Sequence, residues 1–283
     1  MTEKEFSVPK LPLDHWIDSG LEFLTDNFAF LTKAISEYME DGLIENIVEA
    51  LMYPPPWFVI GVFTLIGWRL AGRNMAILTA LGLGLLWNLR LWEPTIETLT
   101  LVIVATTIAI AIGIPMGVLA ALSRTAYRII MPILDFMQTM PAFVYLIPAI
   151  PFFGLGAVSA IFATVVFAMP PSIRLTCLGI KQVPNELIEA ADAFGSTRSQ
   201  KLFKLQLPLA VPTIMAGINQ TIMLALSMVV IAAMIGAGGL GGEVWKAIQR
   251  LQPGMGFEAG IAIVVLAMIL DRITQKIARK NEV

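Results

Sequence analysis

Long apolar runs dominate the pattern of hydrophobic and polar positions from about residue 55 onward. A helix that crosses a membrane needs about 20 mostly apolar residues, and fewer where other helices enclose it. The pattern therefore predicts an all-α membrane protein with about seven transmembrane helices, near residues 55–71, 75–91, 95–122, 129–153, 156–173, 210–235 and 257–279. The first two are short, and the tight turn Ala71-Gly72-Arg73-Asn74 joins them.

Proline interrupts two of the predicted helices. The third is long and is expected to tilt, or to bend at Pro115. The fourth contains several prolines, namely Pro132, Pro141, Pro148 and Pro151. A membrane helix with so many missing amide donors is tolerated where neighbouring helices or water satisfy the freed carbonyl groups. We therefore expect the fourth helix to line an internal path.

Residues 1–53 have a different pattern, in which apolar residues are spaced three and four apart among eleven acids and three bases. This spacing predicts an amphipathic helix, and its apolar positions are Trp16, Ile17, Leu21, Leu24, Phe28 and Leu31. The helix can lie on a membrane surface or pack on the protein, although anionic headgroups would repel its acids. The acids also argue against an eighth membrane helix within 21–53. A cleaved signal is not expected, since no apolar run precedes Trp57.

Composition agrees with a membrane protein. Of the 283 residues, 57% are hydrophobic and 14% are charged, and the mean hydropathy is +0.78. Soluble domains carry about a quarter charged residues, so much of this surface is expected to face lipid. The net charge of −2, with no basic block, argues against a nucleic-acid partner. With His15 and Cys177 as the only residues of their types, a transition-metal centre and a disulfide framework are excluded, and Cys177 is expected to be buried.

The positions of lysine and arginine predict the orientation, because cytoplasmic connections are enriched in both. With seven crossings, thirteen of the nineteen bases fall on one side and six on the other. We therefore predict a multi-pass protein of a prokaryotic plasma membrane, with residues 1–53 outside and the C-terminus in the cytoplasm. A segment of that length can translocate whatever its charge.

The connection between the fifth and sixth predicted helices, residues 181–208, is long and polar. Its residues predict a helix–turn–helix, in which Asn185 is the first N-cap and Gly195 ends the first helix. Ser196 is expected to cap a second short helix that runs through Leu205. The segment would leave several apolar side chains bare, namely Leu187, Ile188, Phe194, Leu202 and Phe203. Such a surface predicts a protein partner.

The same segment resembles the EAA loop of ABC importer permeases. In that pattern Glu-Ala-Ala is followed after three residues by Gly, after nine more by Ile, and after one more by Leu-Pro. Here the corresponding residues are Glu189, Ala190, Ala191, Gly195, Leu205, Leu207 and Pro208, with Leu205 in place of Ile as the one departure. Because the family's loop docks on a separate ATPase subunit, the resemblance implies that these residues couple the chain to an ATPase.

The resemblance extends from about Trp92 to Thr274. Residues 135–148, 167–174 and 216–234 look like the permeases for glycine betaine and proline betaine. The chain is thus expected to be the permease subunit of an ATP-driven importer for glycine betaine or a related compatible solute, with a role in osmoprotection. The expected fold is that of a type I ABC importer permease. The expected divisions are the amphipathic segment 1–53, two short membrane helices in 54–91, and a core permease domain in 92–283.

The resemblance also implies partners. They are a second copy of the chain, two ATPase subunits that bind ATP and Mg, an external solute-binding protein, and membrane lipid. One EAA loop per chain against two ATPases predicts a symmetric permease dimer. The chain has no Walker A pattern, so we expect a non-catalytic subunit without a cofactor of its own, and a receptor on another polypeptide. Two alternatives remain open: a permease for choline, carnitine or another amino-acid derivative, and a self-sufficient channel or membrane-embedded enzyme.

Polar and aromatic residues inside the predicted helices are candidates for the path, since polar groups in lipid are costly and usually face a bundle interior. A quaternary ammonium has no N–H to donate, so aromatic faces and diffuse negative potential recognise it. The candidates are Gln138, Thr139, Phe143, Tyr145, Met223 and Ser227, although aromatic and methionine residues at helical spacing are also typical of packing. For Asn219 and Gln220, hydrogen bonds between helices are favoured over a path role. Asp135 and Arg174 are expected to form charge pairs near the cytoplasmic face.

One glycine-rich run, Gly236-Ala-Gly-Gly-Leu-Gly-Gly-Glu243, looks superficially like a phosphate loop. No Lys-Ser/Thr follows it, and the predicted topology places it outside the cell, so nucleotide binding is excluded. The run instead predicts a flexible re-entrant connection beneath the binding protein.

Overall fold

The computed structural model describes residues 12–280, and every regular element in that range is helical, as predicted. The α-helices in chain order are α1 Leu13–Met39, α2 Glu45–Met52, α3 Pro56–Ala71, α4 Arg73–Asn88, α5 Trp92–Leu122, α6 Arg124–Thr139, α7 Leu146–Phe153, α8 Ala157–Lys181, α9 Asn185–Ala193, α10 Arg198–Lys201, α11 Leu207–Ala232, α12 Gly239–Gln249 and α13 Pro253–Lys280. Short 3₁₀ segments and π-helical turns occupy Glu40–Ile44, Ala142–Tyr145, Leu202–Gln206 and Ala233–Ile235.

Four helices of the described chain are long and apolar enough to cross a membrane, namely Trp92–Leu122, Ala157–Lys181, Arg198–Ile235 and Pro253–Lys276. Two sharply bent pairs are further candidates: Asp14–Met52 with Pro56–Ala71, at 100°, and Arg124–Thr139 with Ala142–Phe153, at 114°. Helix α4 has 16 residues. At 1.5 Å per residue it extends about 24 Å, less than the roughly 30 Å hydrocarbon core. The count of seven crossings stays a prediction.

The predicted fourth membrane helix is wrong as a single element, because the chain bends between α6 and α7. Pro141 has no amide N–H and disfavours helical backbone in the residue before it, and Met140 is accordingly extended, with ψ of 136°. Pro132 and Pro151, by contrast, lie inside α6 and α7. The path of the chain here is therefore set by the one bend at Pro141 and not by the number of prolines.

The predicted fifth helix, 156–173, is too short, since α8 continues to Lys181. The prediction ends the helix before the charge of Arg174, but that guanidinium forms an ion pair with Asp135 of α6. The pairing expected of these two charges is therefore found, and they pair with each other. Two turns further along α8, the Lys181 ammonium lies 3.3 Å from the ring centroid of Tyr127, which also holds α6 against α8.

Helices α5, α8 and α11 pack together at the centre of the chain. Glycines allow their close approach: a Cβ at Gly113 would lie 2.0 Å from Ser172 Oγ, and one at Gly117 would lie 2.6 Å from Thr176 Cβ. Gly217 of α11 packs on α8 in the same way. Small residues at helix contacts are typical of membrane proteins, because the hydrophobic effect does not drive helices together in lipid and close packing must do so. Cys177 is buried beside this contact, as predicted.

Helix α1 carries the predicted amphipathic pattern and lies against α7. Its apolar side chains Trp16, Ile17 and Phe28 are exposed, while Thr25 and Ser36 are half-buried on the side that faces the protein. Residues 1–11 of the predicted N-terminal segment lie outside the described residues. The helix itself is confirmed, whereas its side of the membrane and the division at residue 53 stay predictions.

Candidate functional site

The connection between α8 and α11 forms the predicted helix–turn–helix. Gly195 ends α9 with a φ of +73°. Its N–H donates to the Asp192 carbonyl at 2.9 Å, and the Ser196 N–H donates to the Ala191 carbonyl at 3.0 Å. These bonds define a Schellman turn, whose left-handed position glycine occupies without the steric penalty of a Cβ. The predicted stop of the first helix at Gly195 is confirmed.

Both predicted N-caps need correction. Asn185 is the first residue of α9 rather than its cap, and Pro184 precedes it. Ser196 does not cap the second helix, because the helix begins one residue later than predicted, at Arg198. Thr197 is the cap instead: its Oγ1 accepts from the Gln200 N–H at 3.3 Å, while its own N–H donates to Gln200 Oε1 at 2.8 Å. This capping box satisfies two amide groups at once.

The second helix does not end at Leu205. It passes through the π-helical turn at Leu202–Gln206 into α11, so that Arg198–Ile235 is a single helix. Pro208, which has no N–H to donate, is the second residue of α11 and directly follows the π-helical turn, a place where the regular hydrogen-bond ladder is already interrupted. The predicted start of the sixth membrane helix at residue 210 is therefore wrong. The surface connection and the membrane helix are one element.

A cavity of about 550 Å³ lies between α9 and the start of the Arg198–Ile235 helix. Its lining includes four of the predicted coupling residues and extends over Leu187, Ala190, Ala191, Phe194, Gly195, Ser196, Gln200, Lys201, Lys204 and Leu205. Glu189 is exposed on α9, while Leu207 and Pro208 lie just beyond the cavity at the start of α11. The sequence pattern thus corresponds to one concave surface.

An exposed aromatic ring, that of Phe194, lines this cavity, and a second, that of Phe203, directly precedes the lining residue Lys204 in sequence. Phe194 is 91% exposed and Phe203 is 65% exposed. An ion pair between Asp192 and Lys201 joins the two helices across the turn. A preformed concave surface with bare aromatic side chains beside it is typical of a protein–protein contact.

The surface is tied to the membrane core through Leu202. This side chain is buried in a cluster with Ile180 of α8 and with Ala210 and Ile214 of α11. Apolar residues of α5 pack on the same cluster, among them Val118. A displacement of the helix–turn–helix therefore acts directly on the three central helices.

The predicted path residues lie on two neighbouring parts of the structure. Gln138, Thr139 and Phe143 are exposed at the bend between α6 and α7. Met223 and Ser227 lie one turn apart on α11, joined by a hydrogen bond from Ser227 Oγ to the Met223 carbonyl at 3.1 Å. The segment Ala142–Tyr145 contacts α11, so the bend and α11 are neighbours.

Tyr145 differs from the other path candidates because it is only 6% exposed. Its hydroxyl donates to the Met137 carbonyl. Its ring stands edge-on to Phe167, with 5.6 Å between the ring centroids. Within this chain Tyr145 packs the bend rather than presenting a free aromatic face.

The neighbouring amides Asn219 and Gln220 have different environments. Asn219 Nδ2 donates to Asp271 Oδ1 of α13 at 2.9 Å, which is the predicted hydrogen bond between helices. Gln220 is exposed on α11. The sequence analysis missed Asp271, whose signal was a carboxylate near the end of an apolar run.

The glycine-rich run is ordered, so the prediction of a flexible connection is wrong. The N–H of Gly239, the first residue of α12, donates to Glu97 Oε2 at 2.6 Å, and the Leu240 N–H donates to Thr98 Oγ1 at 2.8 Å. Helix α12 thus receives its N-terminal cap from α5, which is 142 residues away in sequence. A Cβ on Gly241 would lie 2.7 Å from the Val230 Cα, so glycine here serves close packing.

The described chain is all-α, and its surface helix–turn–helix continues into a central helix long and apolar enough to cross a membrane. The profile of the family described as "Binding-protein-dependent transport system inner membrane component" matches residues 113–283. This is more than half of the chain, and the chain belongs to that family.

Curated relatives match over nearly the whole chain. The glycine betaine transport system permease protein OpuAB of Bacillus subtilis is 50% identical over 275 residues, which cover 97% of both chains. The glycine betaine/carnitine transport permease protein GbuB of Listeria monocytogenes is 50% identical and covers 97% of this chain and 98% of its own. The glycine betaine/proline betaine transport system permease protein ProW of Escherichia coli is 46% identical over 96% of this chain and 76% of its own.

The fold also matches a solved structure. A chain of the MetNI methionine ABC transporter, in an inward-facing crystal form, superimposes with a TM-score of 0.63 and 25% identity. The match covers 68% of this chain and 95% of that one. The predicted type I ABC importer permease fold is confirmed.

Proposed function

We propose that this chain is the permease subunit of an ATP-driven importer for glycine betaine or a closely related quaternary amine. The observation that carries the proposal is the identity of 50% over nearly full length to permease proteins named for glycine betaine. Relatives named for choline and carnitine alone match at 30% and 29% identity, over 66% and 64% of this chain. Choline is therefore the less favoured solute, whereas carnitine also stands in the name of the 50% identical GbuB and is kept as an alternative beside glycine betaine.

The coupling surface is the cavity between α9 and the start of the Arg198–Ile235 helix. In the proposal one ATPase subunit, which binds ATP and Mg, docks there, and Phe194 and Phe203 are its contact residues. The surface lies in the cytoplasm, in agreement with the thirteen bases predicted on that side. The N-terminal segment and α12 then lie outside, where a separate receptor delivers the solute. Nucleotide-driven closure of two ATPases moves the central helices through Leu202.

The path is completed by a second copy of the chain. Gln138 of α6 and Gln220 and Ser227 of α11 are exposed in the single chain. Polar side chains in membrane helices usually face a bundle interior or a water-filled route rather than lipid. A symmetric dimer would place these side chains around a common axis, and Phe143 beside them would offer the cation an aromatic face. A low affinity for the solute suits such a route, because a high-affinity site would retain the solute.

The coupling proposal is tested in the complete transporter, reconstituted with its ATPase and receptor. Glu189→Lys and Gly195→Leu are expected to lower ATP-driven glycine betaine uptake at least about tenfold, since buried residues of an interface centre commonly contribute 2 kcal/mol or more. ATP hydrolysis and the amount of inserted permease are expected to remain. Glu186→Lys is the matched control, with the same charge change one turn earlier on α9. Unchanged uptake by both test variants would refute the coupling role.

The solute is tested separately, by receptor-dependent uptake of glycine betaine, proline betaine, choline and carnitine in the same vesicles. Glycine betaine is expected to be the preferred solute. Flux through the chain alone, without ATPase or receptor, would identify a self-sufficient channel and overturn the importer proposal.

A further inference from the structure

Two cavities adjoin each other on the outer surface of α13. The first, of about 550 Å³, lies between the α3–α4 turn and the C-terminal half of α13, and is lined by Ala71, Arg73, Asn74, Met75, Leu78, Met268, Arg272 and Lys276. The second, of about 640 Å³, lies between α12 and α13 and is lined by Val244, Ile248, Pro253, Gly256, Phe257, Gly260, Ile261, Val264, Val265 and Met268. Met268 lines both, so the two cavities meet at this side chain, and the two together are called the groove.

The first cavity is basic. Arg73, Arg272 and Lys276 converge on it, and among residues 12–280 none of the three has a carboxylate within ion-pair distance. The nearest acid along α13, Asp271, accepts hydrogen bonds from Asn219 and Gln275. Three cations that share a cavity repel one another, which favours an anion between them.

The second cavity is apolar along its whole length. Phe257, Ile261 and Val264 are exposed there although they are large hydrophobic side chains. From Gly256 to Met268 it follows α13 for about 18 Å at 1.5 Å per residue, slightly more than half of a hydrocarbon core of about 30 Å. An acyl chain that enters from the basic end would therefore find apolar lining as far as the middle of the hydrocarbon core.

We propose that this groove binds an anionic phospholipid. Its headgroup phosphate lies between Arg73, Arg272 and Lys276, and one acyl chain extends past Met268 along α13. A free phosphate would use only the basic cavity and would leave the apolar one empty. Basic pockets between membrane helices on the cytoplasmic side are known to select anionic headgroups. The choice of the cytoplasmic leaflet rests on the orientation given under the proposed function, whereas the groove itself does not.

The test uses the purified full-length chain, delipidated in a neutral detergent. Dioleoyl phosphatidylglycerol and dioleoyl phosphatidylcholine are titrated separately, and the midpoint of thermal unfolding is measured. Phosphatidylglycerol is expected to raise the midpoint at lower concentrations than phosphatidylcholine. In Arg73→Gln/Arg272→Gln/Lys276→Gln the affinity for phosphatidylglycerol is expected to fall by about a hundredfold, because each of the three bases contributes about 1 kcal/mol near a charged lipid surface.

A matched variant, Arg124→Gln/Arg128→Gln/Arg250→Gln, removes three exposed bases outside the groove and is expected to bind phosphatidylglycerol as the parent does. A second variant, Gly260→Phe, fills the apolar cavity and is expected to weaken binding of phosphatidylglycerol while leaving all three bases. Equal affinity for the two lipids, or equal loss in the matched variant, would overturn the proposal. A midpoint shift by inorganic phosphate equal to that by phosphatidylglycerol would identify a free-anion site and overturn it too. Because no transport is measured, a negative result leaves the importer proposal unaffected.

Discussion

Two glycine-containing turns of this chain are ordered by different means. The turn around Gly195 is closed by hydrogen bonds among residues 191–200. The run from Gly236 to Gly242 is held by Glu97 and Thr98 of α5, and by direct packing on α11. The first turn can form from its own residues, whereas the second needs the folded membrane domain. A turn closed by its own hydrogen bonds suits a surface that a partner binds, whereas a turn held by residues distant in sequence suits a junction between helices.

The largest effect is expected where this junction is broken sterically. Gly241→Val places side-chain atoms where a Cβ alone would lie 2.7 Å from the Val230 backbone, and backbone cannot move aside cheaply. We expect a loss of about 3 kcal/mol of stability, seen as a lower thermal unfolding midpoint in detergent. Gly242→Ala is the matched control, since a Cβ there meets nothing within 4 Å. Equal midpoints for the two variants would mean that the junction is not packed as described.

A smaller loss is expected when only the distant cap is removed. Thr98→Val keeps the side-chain shape but leaves the buried Leu240 N–H without its acceptor, which costs about 1–2 kcal/mol. Thr106→Val is the control, because Thr106 Oγ1 donates to the Val102 carbonyl of its own helix and caps no other element. Thermal unfolding of both variants would distinguish them. Similar midpoints would argue that α12 is held by packing alone.

The smallest effect is expected at the locally closed turn. Lys201→Met removes the ion pair with Asp192, whose carboxylate side chain is 53% exposed, so we expect a change below about 1 kcal/mol. The global unfolding midpoint should hardly change, while limited proteolysis between residues 192 and 201 should become faster. A large fall in the global midpoint would show that the turn contributes to the membrane core, contrary to the comparison above.

The same contrast explains how much of the molecule could be predicted from its sequence. The turn at Gly195 was predictable because its signal is local: an N-terminal acid, a glycine and a capping residue within a few positions. Even there the cap is Thr197 rather than Ser196, since two neighbouring hydroxyl residues give the same signal and the position of the helix start decides between them. The amphipathic helix and the burial of Cys177 were predictable for the same reason.

Features that depend on distant residues were not predictable. No residue near Gly239 in sequence indicates that Glu97 caps it. The glycines therefore suggested a flexible connection, whereas in the structure they permit close packing of helices. The charge of Arg174 suggested the end of a helix until its partner Asp135 was known. Likewise, Asn219 forms a hydrogen bond with Asp271 of another helix while Gln220 is exposed, and nothing near the two amides in sequence shows this difference. The environment of the proposed path residues was not predictable either, because a second copy of the chain would complete it.

The helix Arg198–Ile235 has 38 residues and begins at the coupling surface. At 1.5 Å per residue its length is about 57 Å, so a rotation of roughly 5° about its midpoint displaces each end by about 2.5 Å. Its far end adjoins the glycine-rich junction with α5. The two turns therefore lie at opposite ends of one helix. A partner that tilts this helix at the first turn would strain the hydrogen bonds that hold the second turn.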